Sequence, residues 1–137
     1  MEFHMPDMTD IVVKKADGTT SITFNKLTAS SGDKVPAQWR QEATGASASL
    51  RPTFEMVSQW NGPRTARRVS SSFQYPYTVT DSTTSTTTVK DRIPYGTSMV
   101  IPTAVPDTIV SEAVAQGTNL QTSPLVVASY KAGYSPT

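Results

Sequence analysis

Apolar and polar side chains alternate with a period of two along most of the chain up to Pro102, and the period changes only beyond it. Residues 10–15 (Asp-Ile-Val-Val-Lys-Lys) are rich in β-branched side chains and predict a strand. The Asp17-Gly18 pair suits a tight turn, and residues 20–27 then alternate Ile22 and Phe24 against a polar face, completing a hairpin. Residues 28–36 read as a loop and residues 36–42 as a short strand with Trp39 as its one large anchor. Between Ser47 and Trp60 the apolar positions are Leu50, Phe54, Met56 and Val57, and Pro52 marks a strand start or bulge rather than a helix. Asn61-Gly62-Pro63-Arg64 is a turn signal. Residues 65–80 carry the longest alternation, with Val69, Phe73, Tyr75, Tyr77 and Val79 set against Arg68, Ser70, Ser72, Gln74 and Thr78; Pro76 interrupts pairing near its end. Asp81, Ser82, Thr83, Thr84, Ser85, Thr86, Thr87 and Thr88 include no apolar side chain and predict an exposed loop or an extended hairpin tip. Residues 89–101 then place Ile93, Tyr95, Thr97, Met99 and Ile101 on one face and Lys90, Arg92, Pro94, Gly96, Ser98 and Val100 on the other.

Beyond Pro102 the spacing turns helical. Ile109, Val110, Ala113, Val114, Gly117 and Leu120 form one stripe, with Asp107 as cap or first-turn charge. Ser123-Pro124 supplies an N-cap followed by proline at the first helical position; Leu125 and Val126 open a second, shorter helix that Gly133 closes. Strands first and helices last predict an α+β fold: an N-terminal β-hairpin, an antiparallel β-sheet, and two C-terminal α-helices on one face. The expected division is a mobile leader (1–8) and a single domain (9–137), made of the hairpin (9–28), the main sheet (36–102) and the helical pair (103–133).

Composition sharpens this picture. Only 36% of the residues are hydrophobic, while 37 of the 137 are Ser or Thr. A chain this small and this polar buries a thin core alone and is expected to complete it with a partner subunit. Cysteine is absent, which excludes disulfides, thiolate zinc sites and cysteine nucleophiles. The one histidine, His4, lies in the polar leader, so neither a histidine triad nor a multi-histidine metal site can form within one chain. No apolar run approaches the ~18 residues of a membrane span, and no basic patch precedes an apolar stretch as in a secretory signal. The expectation is a protein without enzymatic activity, cofactor, metal or membrane contact. Asp17, Asp33, Asp81 and Asp91 are scattered over turns and loops and read as turn residues rather than calcium ligands. Trp39 and Trp60 read as packing anchors.

The net charge is +1, but residues 51–92 hold six basic side chains against three acidic ones, while each flank is net −1. A basic middle of this kind is either a solvated polar face or a footprint for a polyanion.

The order of elements resembles the coat proteins of single-stranded RNA bacteriophages, the levivirus group, over residues 9–137. The features that look alike are the Asp10-Ile11-Val12-Val13 start, the Trp39 strand after a Gly-containing loop and the Asn61-Gly62-Pro63-Arg64 turn between two long strands. The Ser/Thr loop, the Ile101-Pro102 exit and the run from Gln116-Gly117 through Ser123-Pro124-Leu125-Val126 also match. The resemblance implies an intertwined homodimer whose helices interlock over the partner's sheet, with Ile109, Val110, Ala113, Val114, Leu120, Leu125 and Val126 at the interface. It implies further that dimers close into an icosahedral shell, a virion assembled in the cytoplasm of a bacterial host. Residues 81–88 would meet neighbouring dimers. The sheet face opposite the helices would meet single-stranded RNA, with Arg51, Thr53, Arg64, Arg67, Arg68, Ser70, Ser72, Lys90 and Arg92 as its contacts. The chain departs from the family at three points. Glu55 puts a negative charge where a small hydroxyl is usual, and Pro94 and Gly96 stand where an aromatic and an amide side chain serve base stacking and readout. Tyr95 recovers the stacking role only if a bulge shifts its register by one. The alternative reading is a Ser/Thr-rich β-type adhesin or tail-fibre module, for which the helical pair has no use.

Overall fold

The computed structural model describes residues 6–42 and 47–137. The first part of the leader, with His4, and the Thr44-Gly45 stretch lie outside the described residues. Six strands, β1 (Ile11–Lys14), β2 (Ser21–Thr28), β3 (Ala37–Arg40), β4 (Thr53–Trp60), β5 (Ala66–Thr80) and β6 (Thr87–Pro102), are followed by α1 (Asp107–Gln121) and α2 (Pro124–Ala132). The sheet runs in chain order, β1-β2-β3-β4-β5-β6, every pair antiparallel. Each connection is therefore a local hairpin or loop.

Turn chemistry sets the ends of the strands. Gly18 takes φ 76° in the first hairpin, a left-handed conformation that suits glycine. The Asp17 carboxylate there accepts hydrogen bonds from the amides of Thr19 (2.9 Å) and Thr20 (2.8 Å) and from the Thr20 hydroxyl (2.5 Å). Asn61 organises the β4–β5 turn: its Oδ1 accepts from the amides of Thr65 (2.8 Å) and Ala66 (3.2 Å), and its Nδ2 donates to Thr65 Oγ1 (2.8 Å). That frame holds Arg64 at φ 57°. In α2, Gly133 closes the helix at φ 80° with its amide on Ser129 O, as the sequence predicts.

Pro52, which has no amide to give to a ladder, marks the strand start as expected, with β4 beginning at Thr53 directly after it, and Ala48–Leu50 before it form a 3-10 turn. Several expected boundaries move. Thr87 and Thr88 belong to β6, paired with Thr80 and Val79, so the expected loop over Asp81–Thr88 shortens to residues 81–86. β-branched threonines facing each other across a ladder favour the extension, and Thr80 and Thr87 hydroxyls meet at 2.9 Å. The N-cap of α1 is Pro106, and Asp107 sits in the first turn. Ser123 is at the N-cap of α2, but its hydroxyl donates to Leu120 O (2.8 Å) and does not cap the helix.

The core is small. Among the described residues, Phe24 and Trp39 are the buried large hydrophobic side chains, at 7% and 8% exposure, and none is completely enclosed. Phe24 meets Phe73 edge-on at 5.9 Å, and Trp39 tilts against Phe54 at 5.5 Å, so the hairpin and β3 are fastened to the middle of the sheet by ring contacts. Residues 9 and 10 are tied in as well: Trp39 Nε1 donates to Thr9 O (2.8 Å), and the Lys26 amide donates to Asp10 Oδ1 (2.8 Å).

The Asp17 turn has a measurable signature. The Thr20 hydroxyl, then the Thr20 and Thr19 amides, favour the carboxylate and pull the Asp17 pKa from 3.8 to about 2. A depressed carboxyl pKa adds stability that is fully present above the ordinary value and is lost as pH falls through the folded one. The Thr19 and Thr20 amide resonances should therefore titrate near pH 2. Midpoints near 3.8, or amide shifts unchanged in Asp17→Ala, would show that these bonds do not form in solution.

Candidate nucleic-acid interface

Pairing register sorts the side chains of β3–β6 onto two faces. Thr53 lies opposite Gln74, Glu55 opposite Ser72, Val57 opposite Ser70 and Gln59 opposite Arg68. Those β5 residues in turn face Pro94, Gly96, Ser98 and Val100 of β6, and Arg40 and Gln38 of β3 face Thr53 and Glu55. One face thus carries mainly hydroxyls and amides edged by arginines, with Val57 and Val100 among them. The other carries Trp39, Phe54, Met56, Trp60, Val69, Phe73, Tyr75, Tyr95 and Met99.

The helices are on the apolar side. Tyr95 and Tyr130 rings lie 5.3 Å apart, and both phenols donate to Gln121 Oε1, at 3.4 and 3.2 Å. Burial, then the neighbouring Tyr130, raises the Tyr95 pKa above its ordinary value. The register break in the β5–β6 ladder falls between Tyr77 and Thr78, opposite Lys90, and the alternation from Asp91 onward is unbroken. Tyr95 consequently stays on the helix face, and the shift that would have brought it to the polar face does not occur.

The sequence-predicted contacts separate accordingly. Thr53, Arg68, Ser70 and Ser72 are brought together on the polar face, with Ser98 opposite Ser70. Arg92 lies opposite Pro76 on the same side, and its Nη2 is 3.4 Å from Ser49 O. Arg51, just before β4, is bonded through Nη1 to Glu42 Oε2 at 2.5 Å. Lys90 occupies the register break, and Arg64 the exposed β4–β5 turn. Arg67 is on the opposite parity from Arg68: it faces Trp60 and Ile101, with its guanidinium carbon 5.5 Å over the Trp60 ring. Glu55 stays on the polar face and accepts from Gln38 Nε2 at 3.5 Å.

Arg40 and Gln59 are polar-face residues that sequence reasoning missed. Parity counted from Trp39 already puts Arg40 on the side away from the core. The pairing of Arg40 with Glu42 (2.6 Å) left no sequence signal, because it depends on how the chain leaves β3.

The opposite side is open. A trough of about 1050 Å³ runs between hairpin and sheet, lined by Ile11, Val13, Phe24, Phe54, Phe73 and Tyr95 among others. Neither helix buries a single residue in the isolated chain: Ile109 (57%), Leu120 (62%) and Leu125 (63%) are largely exposed, Ala113 and Val114 are exposed, and Val110 and Val126 are half-buried.

A six-stranded antiparallel sheet in chain order, apolar on one face, polar on the other and followed by two helices, is the fold of the RNA-phage coat proteins. The chain superposes on the virus-like particle protein of Beihai levi-like virus 21 with a TM-score of 0.81 at 14% identity, covering 96% of this chain and 98% of that one. For the virus-like particle of bacteriophage NT-214 the values are 0.82, 14%, 96% and 100%, and for the capsid protein of bacteriophage GA 0.66, 17%, 92% and 95%. No protein-family model matches the chain, and no curated protein matches it.

Tyr95→Phe tests the assignment of faces. Loss of the phenol removes one of two donors to Gln121 and should cost about 1 kcal/mol of stability in denaturant unfolding. Any affinity for single-stranded RNA should be unchanged, since the ring is on the apolar side; a clear fall would place Tyr95 on the polar face instead.

Proposed function

We propose that the chain is the structural coat protein of a levi-like RNA bacteriophage, pairing into homodimers that close into an icosahedral shell around single-stranded RNA. The observation that carries this reading is the unfinished core. An exposed helical stripe and an open apolar trough lie on the same side of one chain, and neither is covered by the described residues. A second copy turned about a twofold axis offers its helices to this trough and its trough to these helices, so one contact repeated twice covers both. Interfaces of that kind resemble a domain core cut in half. The superposition on virus-like particle and capsid proteins over nearly their whole length supports the same reading.

The proposed role is a structural one, which the likeness to capsid and virus-like particle proteins supports. Among the described residues no group of three or more His, Cys, Asp or Glu side chains is placed to hold a metal, and no helix is long and apolar enough to cross a membrane. The polar face is suited to a polyanion read without much sequence discrimination. Hydroxyls and amides donate to phosphate and sugar, and Arg68 and Arg92 add charge, while Pro94 and Gly96 bring no side chain for base readout. The Ser/Thr tip over residues 81–86, held by Asp81 (Oδ1 to the Thr83 amide, 2.8 Å), is free of apolar commitments and suits contact with neighbouring dimers. The virion, assembled in the bacterial cytoplasm, is the corresponding location.

Expressed alone, the chain should elute as a dimer or larger and give closed particles in negative stain. Leu120→Asp, which sets a charge in the exposed stripe, should abolish both the dimer and the particles. A soluble, folded wild-type monomer at micromolar concentration would defeat the proposal.

RNA content should follow the faces. Arg68→Gln should flatten the salt dependence of RNA binding by about 0.7 in log–log slope, one single-strand phosphate contact, and lower the 260/280 nm absorbance ratio of purified particles. Arg67→Gln, on the apolar side, should leave both unchanged. The reverse pattern would mean that RNA meets the other face.

A further inference from the structure

Glu42 stands out on the polar side because it joins two arginines that belong to different elements. Its Oε1 accepts from Arg40 Nε at 2.6 Å and its Oε2 from Arg51 Nη1 at 2.5 Å, so each carboxylate oxygen is held by a different guanidinium. Arg40 closes β3 on the polar face, directly opposite Thr53, and Arg51 immediately precedes Pro52 and β4. The Glu42 amide donates to Asn25 Oδ1 (3.3 Å), which fixes the main chain beside the pair. All three side chains are partly accessible, at 26% for Arg40, 36% for Glu42 and 19% for Arg51.

We propose that Glu42 is a built-in competitor for RNA phosphate: its carboxylate bridges Arg40 and Arg51, and a phosphodiester takes its place between them when RNA lies on this face. This rests on the packaging reading above. A phosphodiester presents the same pattern as a carboxylate, two oxygens sharing one negative charge, to the same guanidinium forks. One carboxylate against two guanidinium groups leaves the cluster at net +1, so it attracts a phosphate even while Glu42 is in place. Glu42 lies beyond the last β3 residue in register with β4, and with its main chain held by the Gln41 amide on Pro52 O (3.2 Å) and by Asn25, the carboxylate can swing away without unpairing β3 from β4. The consequence is a face on which two of the basic groups are half-neutralised until RNA arrives.

The test uses the full-length chain in its dimeric form, below the concentration at which shells close, titrated with poly-uridylate over a range of salt. Glu42→Gln removes the competing charge and keeps the shape. Its log–log salt slope should steepen by about 0.7, which makes binding about fivefold tighter at 0.1 M salt relative to 1 M. Weaker binding in Glu42→Gln would show that Glu42 positions the arginines and does not compete with RNA, and an unchanged slope would show that the pair does not meet phosphate; either overturns the proposal. Should Glu42→Gln fail to fold, Arg40→Gln and the double variant Arg40→Gln with Arg51→Gln carry the same information. With Glu42 already cancelling one charge, the first replacement should flatten the slope by one contact and the second should flatten it no further. Equal losses from each arginine would overturn the competition. Absence of salt-dependent binding in the wild type would remove the packaging reading itself, and the inference with it.

Discussion

The Phe24–Phe73 and Trp39–Phe54 ring contacts hold the rest of the structure in place, because they are where a thin core begins and stops. They pin the hairpin and β3 to β4 and β5 and so curve the sheet over one side. Nothing among the described residues fills the space that the curve encloses. Burying a large apolar side chain contributes about 1.5–3 kcal/mol, and this chain leaves Ile93, Leu120 and Leu125 each more than 60% exposed on its own. A fold that leaves so much of its principal stabilisation unrealised fits the proposed pairing with a second copy. Under that proposal stability and assembly become one equilibrium, as expected for obligate dimers.

The polar face follows from the same geometry. Strand alternation commits one side of β4, β5 and β6 to the core, and the ladder from Ala66 to Tyr77 holds that parity against residues 91–102 without a break. Everything of opposite parity is delivered to one surface. That is why Ser70, Ser72, Ser98 and Thr53 meet although they come from three strands, and why Arg67 and Arg68, neighbours in sequence, end on opposite sides. Arg67 is kept useful on the apolar side by lying over Trp60, where a guanidinium is weakly enough hydrated to sit on a ring.

Much of this was legible beforehand, and for identifiable reasons. The β5 and β6 alternations are long, so one ambiguous residue such as Ser71 cannot upset their parity. The turns at Asp17-Gly18 and Asn61-Gly62 and the Ser123-Pro124 helix start are local, carried by the residues themselves. What escaped depends on contacts between distant segments. The strand extension into Thr87 and Thr88 is decided by the threonines across the ladder, the 3-10 turn over Ala48–Leu50 by the approach to Pro52, and the Ser123 hydroxyl by the end of the preceding helix. The Arg40–Glu42–Arg51 bridge joins residues on both sides of a loop, and no periodicity encodes it.

If the chain packages RNA as proposed, the arrangement bears on how such a face can be basic without binding RNA everywhere. A concentrated positive field raises affinity for any polyanion and steepens its salt dependence. Here the excess of residues 51–92 is distributed instead: Arg64 to an exposed turn, Arg67 to the apolar side, Arg51 to a carboxylate, Arg68 and Arg92 to the polar field. Each dimer would then present only a few effective charges, arranged around neutral hydroxyls that supply many weak contacts. Affinity per dimer stays low under that arrangement and grows with the number of dimers engaged, since linked sites multiply their binding constants. RNA capture and shell closure would reinforce each other, with neither able to run far ahead. A face built from strong individual sites would lose that coupling, because RNA would saturate single dimers before neighbours could gather on it.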